Sequence, residues 1–244
     1  MCGRYASFRE DQQLADEFAI ADLADDVRLL PASWNVAPTD RVRLVVERPE
    51  RLPGGSHGAV VRQLRTARWG LVPSWATDPS VGSRMINARV ETLATKPAFA
   101  RPLARRRAIV PADGYYEWQA PAPGSAARTK QPYYLHPEGG ASLALAGLYE
   151  FWKDPARADD DPERWLVSTT ILTTAATGDL AQIHDRRPVM LRPDAWDAWL
   201  DPAVGAEQAL ALAQRDPPPI VATAVSSLVG SVANNGPTLV VPLA

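Results

Sequence analysis

The sequence predicts a single α+β domain weighted toward β structure, and three observations carry that reading. Seven short segments rich in β-branched and aromatic residues are spread along the chain. Only three stretches carry helical spacing or start signals, and all are short. The 244 residues, 46% of them hydrophobic, can build a full core, and no repeat or break in composition marks a second one.

Taken in order, Ser7-Phe8-Arg9-Glu10 has the spacing of a capping box and predicts a helix through about Ile20, with Leu14 and Phe18 on one face. Residues 41–47 alternate and are β-branched, which predicts a strand. Further strands are expected over 107–110, 132–135, 142–150, 165–173, 188–191 and 221–225. Pro193 opens a short helix that turns Trp196, Trp199 and Leu200 inward, and another helix covers 206–215. Three stretches, 48–59, 119–131 and 153–163, are rich in Pro, Gly or Asp and read as hairpin excursions between strands.

Composition narrows the function. No apolar run approaches 20 residues, so no membrane span is expected. The opening M-C-G-R-Y-A-S-F-R-E-D lacks an apolar signal segment, so a cytoplasmic setting is expected. One cysteine excludes an internal disulfide, and with three scattered histidines it predicts no metal site. A net charge of −2 argues against a general nucleic-acid coat protein. The cations are nonetheless lopsided: Lys96, Lys130 and Lys153 are the only lysines. Arg84, Arg89, Arg101, Arg105, Arg106 and Arg107 share one 24-residue stretch. That stretch is either a local basic groove or a solvated surface.

The chemistry begins at Cys2. Removal of Met1 would leave a free α-amine and a thiol on adjacent carbons. The amine, with a reference pKa of roughly 7.7–8.0, can form a Schiff base with an aldehyde. The thiolate, from a thiol of about 8.5, can then close a thiazolidine ring on the same carbon. Glu117, between Tyr116 and Trp118, is either a carboxyl in an aromatic pocket with a raised pKa or a strand glutamate facing water. His184 is the best candidate base of the three histidines, and Asp185 orients it only if the turn folds back. Asn87 and Arg89, two apart, share a face of an extended segment and suit a sugar beside a phosphate. Trp69, Pro73 and Trp75 are candidates to stack unpaired bases, with at least one of the two tryptophans expected in the core.

Taken together, M-C-G-R-Y, W-N-V-A-P-T, W-G-L-V-P-S-W, I-N-A-R-V-E-T, P-A-D-G-Y-Y-E-W and I-H-D-R-R-P-V-M-L resemble the SRAP family, the SOS-response-associated peptidase-like proteins, in order and over nearly the whole chain. The resemblance implies one SRAP domain over residues 1–244, with curved sheets forming a barrel-like core and peripheral helices. It implies that Cys2 crosslinks to the ring-opened aldehyde of an abasic site in single-stranded DNA, in the response to DNA damage. By the same resemblance Asn87, Glu117 and His184 are the active-site partners of Cys2. Arg4, Arg89 and Arg186 contact phosphate or sugar, and Trp69 and Pro73 form a wedge near the lesion. No cofactor is implied, a monomer is expected, and the protein would join the nucleoid when bound to damaged DNA. Two alternatives stand beside this reading: an N-terminal-cysteine peptidase acting on itself or other peptides, and a non-covalent binder of single-stranded or modified DNA.

Overall fold

A computed structural model describes residues 2–51, 55–125 and 128–243. In chain order its strands are β1 (Tyr5–Ser7), β2 (Asp22–Leu23), β3 (Ser33–Val36), β4 (Arg41–Arg51), β5 (His57–Trp69), β6 (Asn87–Arg89) and β7 (Arg107–Ala112). They continue with β8 (Gly114–Gln119), β9 (Gln131–Pro137), β10 (Leu143–Lys153), β11 (Trp165–Ala175), β12 (Arg186–Pro188), β13 (Met190–Leu191) and β14 (Ile220–Ala224). The α-helices are α1 (Asp11–Glu17), α2 (Pro97–Arg105), α3 (Leu180–Ile183), α4 (Trp196–Leu200) and α5 (Ala206–Ala213). The strand-heavy α+β expectation is met.

The larger sheet runs β12-β11-β10-β7-β4-β5-β2, with β13 on β10 and β6 on β11. β11 is its hinge. One edge pairs antiparallel with β10 from Gly147↔Ile171 to Lys153↔Trp165, and the other meets β5 in parallel at Ser168↔Arg68 and Thr169↔Trp69. The path of pairings therefore returns to its start. It does so through that short contact and a single β4–β7 pair, Val45↔Ile109, so the sheet is curled as expected without the continuous pairing of a fully formed barrel. The smaller sheet, β14-β9-β8-β1-β3, lies beside it.

Side-chain alternation gives the curl an inner and an outer face. Leu44, Val46, Ala67, Trp69, Val110, Leu145 and Ile171 fill the inside together with Cys2 and Tyr5. Val45, Leu64, Ile109, Ala146 and Leu172 face outward, where Leu14, Phe18, Phe99, Leu103, Trp199 and Leu200 of the helices cover them. The inward turn of Trp199 and Leu200 is as the sequence predicts.

Besides the short β1, β2, β3 and α3 and the strand β8, which were not expected, three elements differ from expectation. Ser7 ends β1 instead of capping a helix; Glu10 is the N-cap and exchanges capping-box hydrogen bonds with Gln13. β5, the longest strand, occupies part of the expected 48–59 loop and ten residues beyond it. Its arginines disguise it, but each finds a partner: Arg62 lies opposite Glu47 on β4 and pairs with it at 2.7 Å. Helix α2 was not expected because Pro102 sits inside it.

The arginine-rich stretch proves to be no single groove. Arg107 is buried and donates to the carbonyls of Leu103, Trp199, Asp201 and Val204, tying helix ends together. Arg106 pairs with the buried Glu150. Among the described residues no helix is long and apolar enough to cross a membrane.

Candidate active site

The inner face ends at Cys2, and four elements bring its partners there. β1 pairs with β8 at Tyr5↔Tyr115 and Ala6↔Gly114, and Tyr116 N donates to Arg4 O at 2.9 Å. One more step of this antiparallel register sets Gly3 opposite Glu117. Gly114 makes the close approach feasible, because a Cβ there would lie 2.5 Å from the Tyr134 ring. β6 runs parallel to β11 with Asn87 beside Ile171, which aims Asn87 at the chain start. The chain leaves α3 at His184 and enters β12, which pairs with the other edge of β11.

Cys2 is fully buried. Asn87 Nδ2 donates to the Cys2 carbonyl oxygen at 2.8 Å. The other end of that amide, Oδ1, is buried and has no hydrogen-bond partner among the described residues. A buried acceptor left unmade costs about 1–3 kcal/mol, so the position is suited to a donor that arrives during function. Burial pushes the Cys2 thiol far above its ordinary range, and the Glu117 carboxylate adds to that effect. Glu117 is 4% exposed. Burial lifts its pKa to about 7, as its aromatic neighbours suggest.

His184 Nε2 stands 3.9 Å from Glu117 Oε2. Its Nδ1 lies 3.0 Å from the Arg186 backbone N–H and 3.2 Å from the Arg186 carbonyl oxygen. Burial lowers the His184 pKa, so the neutral ring is favoured. The turn does fold back: Asp185 Oδ1 lies 3.0 Å from Nδ1. Cys2, Asn87, Glu117 and His184 thus gather at one place. Among the described residues no group of three His, Cys, Asp or Glu side chains is placed to hold a metal ion.

The residues expected to contact DNA divide. Arg89 is exposed at the end of β6. Arg186 grips Glu91 with both terminal nitrogens, at 2.7 and 3.0 Å. Arg4 is half-buried, donating to Asn35 Oδ1 at 2.8 Å and Val229 O at 2.9 Å, so it ties β1 to β3 and the C-terminal turns. Neither residue expected to form the wedge is exposed. Trp69 is 0% exposed, packed on Tyr5 with its indole N–H on Ile86 O, and Pro73 is buried as well. The exposed ring of that segment is Trp75, at 64%. The chain turns from one to the other at Gly70, whose φ is +126° and where a Cβ would fall 2.6 Å from Gly82 O, so no side chain fits.

Two participants went unassigned in the sequence. Asn35, within W-N-V-A-P-T, donates to Ser231 O at 2.9 Å and Asn234 O at 2.7 Å, locking the C-terminal turns onto Arg4. Glu91, within I-N-A-R-V-E-T, holds Arg186. Both sit in the motifs already singled out, and only their partners were hidden.

Known proteins share this arrangement of chain. The chain is 37% identical over 242 residues to the abasic site processing protein YoqW of Bacillus subtilis, covering 98% of this chain and 99% of that one. It is 33% identical over 253 residues to the abasic site processing protein YedK of Escherichia coli, covering all of both. An X-ray structure of a Bacteroides thetaiotaomicron protein has the same fold over both whole chains, with a TM-score of 0.79 at 21% identity. Residues 1–232 match the sequence profile described as SOS response associated peptidase (SRAP), and the chain belongs to that family.

Proposed function

We propose that this protein, after loss of Met1, senses abasic sites in single-stranded DNA and captures the open sugar aldehyde covalently through Cys2. The observation that carries this reading is the Asn87 clamp, which fixes the Cys2 carbonyl and leaves a buried acceptor beside it. A freed α-amine is the donor that such an acceptor suits. The names of YoqW and YedK support the substrate.

The residues divide the work by their protonation. A carboxyl with a pKa of about 7 is matched to an α-amine, which has a reference value of roughly 8. Glu117 takes a proton from the ammonium, and the freed amine adds to C1′ of the aldehyde. Glu117 returns that proton to the carbinolamine hydroxyl, which leaves as water and gives the Schiff base. The thiol, held neutral by burial, acts last: its proton passes to Glu117 and the thiolate adds to C1′. A thiazolidine and one water result. As the sugar ring opens, the C1′–O4′ bond breaks, the imidazolium form of His184 gives its proton to O4′, and the C1′ hydroxyl proton passes to water. The Schiff base is also the branch point for β-elimination, a lyase outcome.

The test is the intact mass, under denaturing conditions, of untagged protein incubated with a single-stranded oligonucleotide carrying one abasic site. Protein without Met1 plus oligonucleotide, less one water, is expected. Free protein with cleaved oligonucleotide would make the chain a lyase, and free protein with intact oligonucleotide would overturn the reading.

A further inference from the structure

The inner face of the curled sheet has a second end. Each strand contributes one inward stripe, and away from Cys2 these stripes change character together. β4 passes from Leu44 and Val46 to Arg48, β10 from Leu145 to Tyr149 and Phe151, and β11 from Ile171 to Val167 and Trp165. There the curl opens into a cavity of about 850 Å³, within the size range of small-molecule sites. Trp165 lies six residues along β11 from Ile171, or about 20 Å from the neighbourhood of Asn87.

Its lining brings four guanidiniums against two carboxylates, Asp26 and Glu150. Arg106 is matched by Glu150, and Arg65 by Asp22 outside the cavity. Arg48 and Arg101 have no ion pair among the described residues. The Arg48 guanidinium sits over the Phe151 ring, 4.9 Å from its centre. Stacking engages the face of a guanidinium and leaves its in-plane N–H donors for an oxyanion. Across the same cavity Trp165 keeps 49% of its surface exposed. A solvated strand end calls for charges alone; large rings and two unmatched guanidiniums around one cavity suit a ligand that is planar at one end and anionic at the other.

We propose that this cavity is a nucleotide-binding subsite separate from the Cys2 end, holding phosphate on Arg48 and Arg101 and a base against Trp165. The occupant is either a free nucleotide or one nucleotide of a bound single strand. The inference does not depend on the aldehyde chemistry, so the full-length Cys2→Ala protein is the material for its test. Calorimetry with dAMP, deoxyadenosine and inorganic phosphate is expected to show one dAMP per chain, bound more tightly than either fragment. Arg48→Gln with Arg101→Gln should weaken dAMP by about tenfold or more, and Trp165→Ala by about threefold or more, with melting temperatures verifying the fold. Displacement of dAMP by an undamaged single-stranded oligonucleotide would identify the strand as the source, and simultaneous binding would identify the free nucleotide. Absence of dAMP binding by the unsubstituted cavity, phosphate binding as tightly as dAMP, or indifference to the arginine pair would overturn the proposal.

Discussion

The two ends of the curled sheet's inner face treat charge in opposite ways. At the Cys2 end Cys2 and Glu117 are buried and His184 half-buried, and burial favours the neutral form of each: Cys2 and Glu117 move up, His184 moves down. At the far end the guanidiniums reach water, stack on rings and keep a fixed positive charge. A group poised between protonation states can pass protons; a fixed cation can only hold an anion. One set of strands thus builds a reactive end and a cationic end, and the difference lies in whether β1 and β8 close over the stripe.

The largest effect comes from breaking the reactive end at its nucleophile. A residue left ahead of Cys2 converts the amine to an amide, and stable adduct on a denaturing gel should vanish. Cys2→Ser keeps the amine but should give an adduct that falls apart on heating; a heat-stable Cys2→Ser adduct would rule out the thiazolidine. Glu117→Gln is expected next, slowing capture by about 10²–10⁴-fold as befits a lost proton carrier. Burial gives this substitution a second signature. The folded-state pKa, about 7, lies above the ordinary 4.5, so the folded chain holds that proton more tightly than the unfolded chain. The stability this contributes is complete below 4.5 and is lost as pH rises through about 7. Melting temperature should therefore fall more steeply for the parent protein than for Glu117→Gln between about pH 5 and about pH 8. Equal slopes would mean that Glu117 is not buried as described.

How far the sequence reveals this contrast depends on what each signal reports. Strands such as β7 and β10 were readable because both their faces are buried and both are apolar. β5 was not, since its cross-strand partners on β4 and not its own composition make it a strand. Asn87 was readable as a residue on an extended segment, but its aim at the Cys2 carbonyl depends on a parallel pairing with β11, 84 residues away. The folding back of Asp185 onto His184 is likewise a tertiary fact. The far cavity left no local trace, because Arg48, Arg101, Phe151 and Trp165 meet only when the sheet curls.

The two tryptophans of W-G-L-V-P-S-W offer a test of which ring belongs to the core. Trp69→Ala should cost about 3–5 kcal/mol in denaturant unfolding, since it empties a fully buried site and removes the indole hydrogen bond to the Ile86 carbonyl. Trp75→Ala should change stability by less than about 0.5 kcal/mol, its ring being mostly in water. The informative readout for Trp75 is retention of single-stranded DNA. A drop there without a drop in stability would transfer the stacking role from Trp69 to Trp75, and no change in either would remove this segment from DNA contact.

The smallest expected effect concerns Glu91, and it sharpens the contrast between a held and a free cation. Arg186 is mostly buried, with both terminal nitrogens on the Glu91 carboxylate and one also on Thr173 O at 2.7 Å. The hydrogen bond from Arg186 holds the Glu91 carboxyl below its usual range, so the pair stays ionised at neutral pH. A DNA phosphate reaching Arg186 must compete with that carboxylate. Glu91→Gln removes the competing charge, and should tighten binding of an undamaged single strand by about two- to fivefold. It should also steepen the dependence on salt by the release of about one more counterion. If Glu91→Gln instead weakens binding, the carboxylate serves to hold Arg186 in position, and Arg186→Lys, which keeps charge but loses the two-pronged grip, should then mimic it.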